Sequence, residues 1–219
     1  MSRVIGSQWK GQTVCASTIV QCPYVPYAKE EKEMDNKVDI ADIDWSKSHP
    51  GVYLTDYALT LKLMPEVKPI LDQLAESEGG DDFWNGKLID VKVHMLMPKQ
   101  FPCIPDWHYD FRPRNDNGKR IANNSIKVGT GEKMWTWLSG APFTEFVNRN
   151  TGKREFSKAQ EWHSFTQDDI HRGTASKEHT WRCFIRVIPA HLAHSALTVN
   201  VGGLRRHCQV YLDANDYRW

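Results

Sequence analysis

Two stretches of strict alternation constrain this chain more than anything else in it. Leu88 to Met97 puts Ile89, Val91, Val93, Met95 and Met97 on one face and Asp90, Lys92 and His94 on the other. Trp181 to Ile188 puts Arg182, Phe184, Arg186 and Ile188 on one face and Cys183, Ile185 and Val187 on the other. A period of two marks a strand with two unlike faces. Between these lie shorter strand-like pieces, Asp106 to Phe111, Lys133 to Leu138 and Pro142 to Val147. Turn signals at Asn115 to Lys119, Ser139 to Ala141 and Asn148 to Arg154 divide them. Leu197 to Val201 and His207 to Leu212 add two further strands. Many short strands with frequent turns predict a sandwich or barrel.

Helices come before the strands. Tyr57, Ala58, Leu61 and Met64 recur at helical spacing, and after Pro65 so do Val67, Ile70, Leu71 and Leu74. Glu78-Gly79-Gly80 should end the second helix. Thr18-Ile19-Val20 reads as a short strand and Lys29 to Lys37 as a solvated charge cluster. The expected organisation is one domain over 1–219. It has a helical or mixed flank at 1–87, a β core at 88–190 and C-terminal strands at 191–219. At 219 residues, with 40% hydrophobic and 25% charged residues, such a domain needs no disulfide or zinc staple.

Charge and cysteines narrow the function classes. The 28 basic and 27 acidic residues leave a net charge of +1, which excludes a histone-like mode of nucleic-acid binding. Arg112-Pro113-Arg114, Lys119-Arg120 and Arg205-Arg206-His207 could still meet a phosphate, although solvated loops are the preferred reading, so nucleic acid is open but not favoured. The 5 cysteines are odd in number and form no CxxC pair, which suits free thiols in a reducing cytoplasm. Cys103 and Cys183, near the strands of interest, suggest sensitivity to oxidation. Met1 to Gly11 lacks the basic start and apolar run of a secretory signal, and Gly11 to Tyr27 is too polar and proline-broken to span a bilayer.

The chemistry concentrates at Trp107-His108-Tyr109-Asp110. On an extended backbone residues i and i+2 point the same way, so His108 and Asp110 can hold one metal together. Taken alone, the two read as an ordinary hydrogen-bonded pair. His171 follows Asp110 by 61 residues, and Arg182 follows His171 by 11. Two histidines and a carboxylate on one face of a metal suit non-heme Fe(II) and leave positions open for other ligands. An arginine fork on a neighbouring strand can hold a carboxylate. His163 and His179 compete with His171 as the distal histidine, although His179, three residues before Arg182, is too close to partner it from an adjacent strand. Trp107, Tyr109, Trp135 and Trp137 are candidates for pocket walls or for core.

In these residues the chain resembles the Fe(II)/2-oxoglutarate-dependent oxygenases, whose core is a double-stranded β-helix, or jelly roll. The segment from His171-Arg172-Gly173-Thr174-Ala175-Ser176 to Arg182 is most similar to the phytanoyl-CoA-hydroxylase-like branch. The resemblance covers about residues 88–190. It implies a mainly β fold with flanking helices, and Fe(II) held by His108, Asp110 and His171. It also implies 2-oxoglutarate anchored by Arg182, with O2 as oxidant, hydroxylation of an unidentified small or polymeric substrate, and release of succinate and CO2. Where many members carry Ser or Thr two residues after the arginine, this chain has Phe184. Arg186 shares the face of Arg182 and is the reserve anchor. His94, Lys92, Tyr109 and Thr174 are candidates for a further hydrogen bond to the co-substrate. Two other classes stay open: a cupin-like metal isomerase, and a jelly-roll binding or assembly module without catalysis.

Overall fold

The computed structural model describes residues 39–111, 131–148, 151–196, 203, 205 and 208–212. Several expectations fall outside these residues. They are the Thr18–Val20 strand, the Lys29–Lys37 cluster, the Asn115–Lys119 turn, the basic residues at 112–114 and 119–120, the Leu197–Val201 strand, and Arg206 with His207. Residues 37–219 form one compact unit.

Asp56 caps the first helix, α1 (Tyr57–Leu63), by accepting from the Leu59 amide at 2.7 Å. A 3-10 turn at Pro65–Val67 leads into α2 (Lys68–Glu78), which buries Ile70, Leu71, Leu74 and Ala75 and stops at Gly79, φ 122°. Both helices lie where helical spacing predicts them. Among the described residues seven strands follow: β1 (Lys87–Leu96), β2 (Met134–Leu138), β3 (Thr144–Val147), β4 (Arg154–Phe156), β5 (His163–Phe165), β6 (His171–Gly173) and β7 (Thr180–Pro189). They form two antiparallel sheets, ordered β1-β7-β2-β5 and β4-β3-β6. Asp106–Phe111, expected as a strand, makes only a bridge at His108, which pairs with His171 on the open side of β6. Apart from the β3–β4 hairpin, which stays in one sheet, the chain therefore alternates between the sheets from β1 through the His108 bridge to β7. That winding is a jelly roll, a double-stranded β-helix with flanking helices.

The two faces of the first sheet differ as the alternation demands. Ile89, Val91 and Val93 of β1, Cys183, Ile185 and Val187 of β7, and Trp135 and Trp137 of β2 pack under Met64, Val67, Ile70, Leu71 and Leu74. Each large side chain buried in this layer contributes about 1.5–3 kcal/mol. The opposite face looks into the roll, and a second cluster of Met134, Phe146, Phe165, Ile188 and Leu192 joins the sheets there. Met95 and Met97 continue the apolar alternation but are exposed.

The C-terminal strands expected over 191–219 are corrected in part. Residues Ala190–Ala196 form helix α3, an Ala- and Leu-containing run after Pro189 that buries Leu192 and Ala193. Residues 208–212 contain one bridge, Tyr211 to Phe101, rather than a strand. Among the described residues no helix is long and apolar enough to cross a membrane, and Cys103, Cys183 and Cys208 are free thiols.

Candidate metal centre

His108 reaches its place because the segment before β2 lies directly against β6. The His108 amide donates to the His171 carbonyl at 2.9 Å, and the His171 amide returns the bond at 3.0 Å. Two residues on, a Cβ at Gly173 would meet the Cys103 sulfur at 2.5 Å, so only glycine permits this approach. The two imidazole centroids are 4.6 Å apart. Asp110 completes the group: its Oδ1 is 3.8 Å from His108 Nε2 and its Oδ2 is 3.6 Å from His171 Nε2. One ligand atom from each residue lies within 4.8 Å of the other two.

Hydrogen bonds on the far side of each ring decide which nitrogen faces inward. His108 Nδ1 donates to the Asp106 carbonyl at 2.8 Å, and His171 Nδ1 donates to the Asp169 carbonyl at 2.9 Å. Nε2 is then the nitrogen of each ring left facing Asp110. This is the arrangement that orients histidine for a metal. The donor set fits a 2-His-1-carboxylate centre for a divalent ion with open positions. Phe111, next to Asp110, sits at φ 51° in the left-handed region, and its carbonyl accepts from Gln167 Nε2 at 2.6 Å.

The three donors open onto a cavity of about 490 Å³ between the sheets. Its aromatic walls include Tyr53, Phe111, Phe146, Phe165, Phe184 and Tyr211. Trp135 and Trp137 are not among them. They share the register face of Val187 and Ile185 and pack against the helices. Trp107 lies beside the guanidinium groups of Arg172 and Arg154, at 4.6 and 5.6 Å. His163 packs on Phe146 at 4.2 Å between centroids, and His179 is exposed, so neither joins the donor set.

The polar face of the first sheet turns inward, a placement that the alternation leaves open. Asp90 is fully buried, and its Oδ2 accepts from Arg186 Nη2 at 2.9 Å while Arg205 Nη2 binds its Oδ1. Arg186 Nη1 also donates to Asp110 Oδ2 at 2.5 Å, so one guanidinium joins the two carboxylates. Arg205, expected in a surface basic spot, instead points inward and donates from Nε to the carbonyls of Val52 and Val91 at 3.2 and 3.1 Å. Burial pushes the Asp110 carboxyl up, but Arg186, His171 and His108 more than reverse this and hold it well below the usual carboxylate range.

Arg182 and Arg186 have different surroundings. Arg182 is 2% exposed, its buried Nε has no hydrogen-bond partner, and it forms no ion pair with a described residue. Burial draws its pKa down to about 10. Its guanidinium carbon lies 5.6 Å from the Phe184 ring, and Phe184, not Arg182, lines the cavity. His94, opposite Arg182 in the β1–β7 register, is pulled down to about 3 by burial and then by the Arg182 charge. Its Nε2 donates to the Gln209 carbonyl at 3.3 Å. Burial pushes the Cys103 and Cys183 thiols up, which opposes the oxidation sensitivity expected for them. Asp90 and Arg205 had no local sequence signal, since 115 residues separate the pair.

No family model and no curated protein matches the chain. Two solved structures are similar to parts of it. One is a cupin-2 domain containing protein from Shewanella frigidimarina, at 10% identity over 48% of this chain and 72% of that one, with a TM-score of 0.26. The other is a cupin protein from Bacteroides fragilis, at 12% identity over 48% of this chain and 67% of that one, with a TM-score of 0.28. Independently of either likeness, the strand order defines a jelly-roll protein whose inner wall gathers two histidines and a carboxylate suited to a metal.

Proposed function

We propose that this chain is a non-heme Fe(II) oxygenase that uses 2-oxoglutarate as co-substrate. The observation that carries the reading is the triad itself: His108 and His171 aim Nε2 at Asp110, with both Nδ1 atoms tied to carbonyls. Bound Fe(II), with 2-oxoglutarate and O2, would supply the oxidising chemistry that hydroxylates a C–H bond and releases succinate and CO2. The chain's own residues bind, orient and exclude water. His108, Asp110 and His171 hold the metal. Phe146 and Phe165 pack against the His171 ring and keep water from that side.

Arg182 is the anchor for the distal carboxylate of the co-substrate. A buried guanidinium without an acidic partner is costly, and an incoming carboxylate removes the cost. Arg186, the reserve, is already engaged with Asp110 and Asp90. A second reading, a cupin-like metal isomerase that takes no 2-oxoglutarate, draws support from Arg182 lying beside Phe184 and outside the cavity lining. Anaerobic titration with Fe(II) and then 2-oxoglutarate separates the two. The oxygenase develops a weak visible charge-transfer absorption, whereas the isomerase binds the metal without it.

A further inference from the structure

The charges around the cavity do not balance. Among its described lining residues are three cations, Lys92, Arg186 and Arg205, and two carboxylates, Asp90 and Asp110. Arg186 is spent on both carboxylates, and Arg205 on Asp90 and two main-chain carbonyls. Lys92 is left over. Its Nζ is 3.9 Å from Asp90 Oδ2, beyond hydrogen-bond distance, and that oxygen already accepts from Arg186. It makes no hydrogen bond to a described residue. The side chain is 25% exposed, faces the cavity and lies over the Phe184 ring at 5.5 Å.

An excess of positive charge in a half-enclosed cavity favours an anion there. The metal and co-substrate do not provide for it, because a divalent cation and a doubly charged 2-oxo acid cancel. Arg182, placed at the co-substrate's distal carboxylate in the reading above, adds a positive charge to this count rather than removing one. Tyr53, Gln209 and Tyr211 stand on the same cavity wall system as Lys92 and offer hydroxyl and amide groups. The volume, about 490 Å³, suits a metabolite-sized molecule rather than a folded polymer.

We propose that the substrate is a small molecule bearing a carboxylate or phosphate group, and that Lys92 seats that group. The substrate role rests on the oxygenase reading; the anion site itself does not. The full chain, first metal-free and then with Co(II) and saturating 2-oxoglutarate, is titrated calorimetrically with inorganic phosphate and, separately, with benzoate. The two probes distinguish a phosphate from a carboxylate preference. The wild type should bind at least one probe. Lys92→Met should weaken that binding about tenfold or more, as expected for loss of a charge-assisted hydrogen bond. Lys92→Arg should restore it, and the affinity of Lys92→Met for 2-oxoglutarate should stay within about threefold of wild type. Lys92→Gln serves in place of Lys92→Met should the latter not fold. Failure of both probes to bind the wild type overturns the proposal, as does probe binding indifferent to Lys92. A loss of 2-oxoglutarate affinity in Lys92→Met also overturns it, by assigning Lys92 to the co-substrate. Lys92-dependent probe binding in a protein that takes up neither metal nor 2-oxoglutarate upholds the anion site and removes the oxygenase reading alone.

Discussion

Replacing Arg182 by methionine should make the ligand-free protein more stable. Arg182 is 2% exposed and has no acidic partner among the described residues, so the folded state holds a charge that water would solvate better. The fall of its pKa to about 10 corresponds to roughly 3 kcal/mol of disfavour for the charged form. Methionine keeps much of the stem and removes the charge. The expected gain is about 2–3 kcal/mol, or roughly 5–10 °C in Tm for a chain of this size. Urea unfolding should show a higher midpoint with an unchanged slope. Adding 2-oxoglutarate should then narrow or reverse the difference. At a hundredfold excess over Kd a bound ligand stabilises by about 2.7 kcal/mol, which the wild type would gain and Arg182→Met would not. A ligand-free variant less stable than the wild type would refute the reasoning, because Arg182 would then hold the fold together rather than await an anion.

The same substitution four residues along β7 should have the opposite sign. Arg186→Met leaves Asp110 and part of Asp90 without their cation and should cost about 3–5 kcal/mol, read by urea unfolding at neutral pH. Acid should find His94. The folded state keeps it neutral down to about 3, while the unfolded chain takes up a proton below its ordinary 6.5. Its contribution is therefore intact above pH 6.5 and is lost as pH falls toward 3, with a slope approaching about 1.4 kcal/mol per pH unit. His94→Gln should flatten that part of the stability profile, and an unchanged profile would contradict the burial of a neutral imidazole.

The parts of the fold legible in the sequence are those long enough to show a period. β1 and β7, ten residues each, alternate over most of their length, and α2 repeats its apolar stripe over three turns. β4, β5 and β6 have three residues apiece, too few to display any period. Alternation also states that a strand has two faces without stating which one meets water. Asp90, Lys92 and His94 have the composition of an outer face, yet the second sheet and the C-terminal segment close over them. The tryptophans show the converse. Trp135 and Trp137 have the chemistry of pocket walls, but their register with Val187 and Ile185 sends them to the helices. The candidate triad was visible through its spacing. The Asp90–Arg186–Asp110 chain was not, because it is assembled from three separate parts of the roll.

The most direct test of the account is the anaerobic titration of the full chain with Fe(II) followed by 2-oxoglutarate, with His108→Ala and Asp110→Ala beside the wild type. The account predicts stoichiometric metal uptake and a weak visible charge-transfer absorption on adding 2-oxoglutarate, both lost in the folded variants. Metal uptake without that absorption, or uptake that persists in both variants, would contradict it.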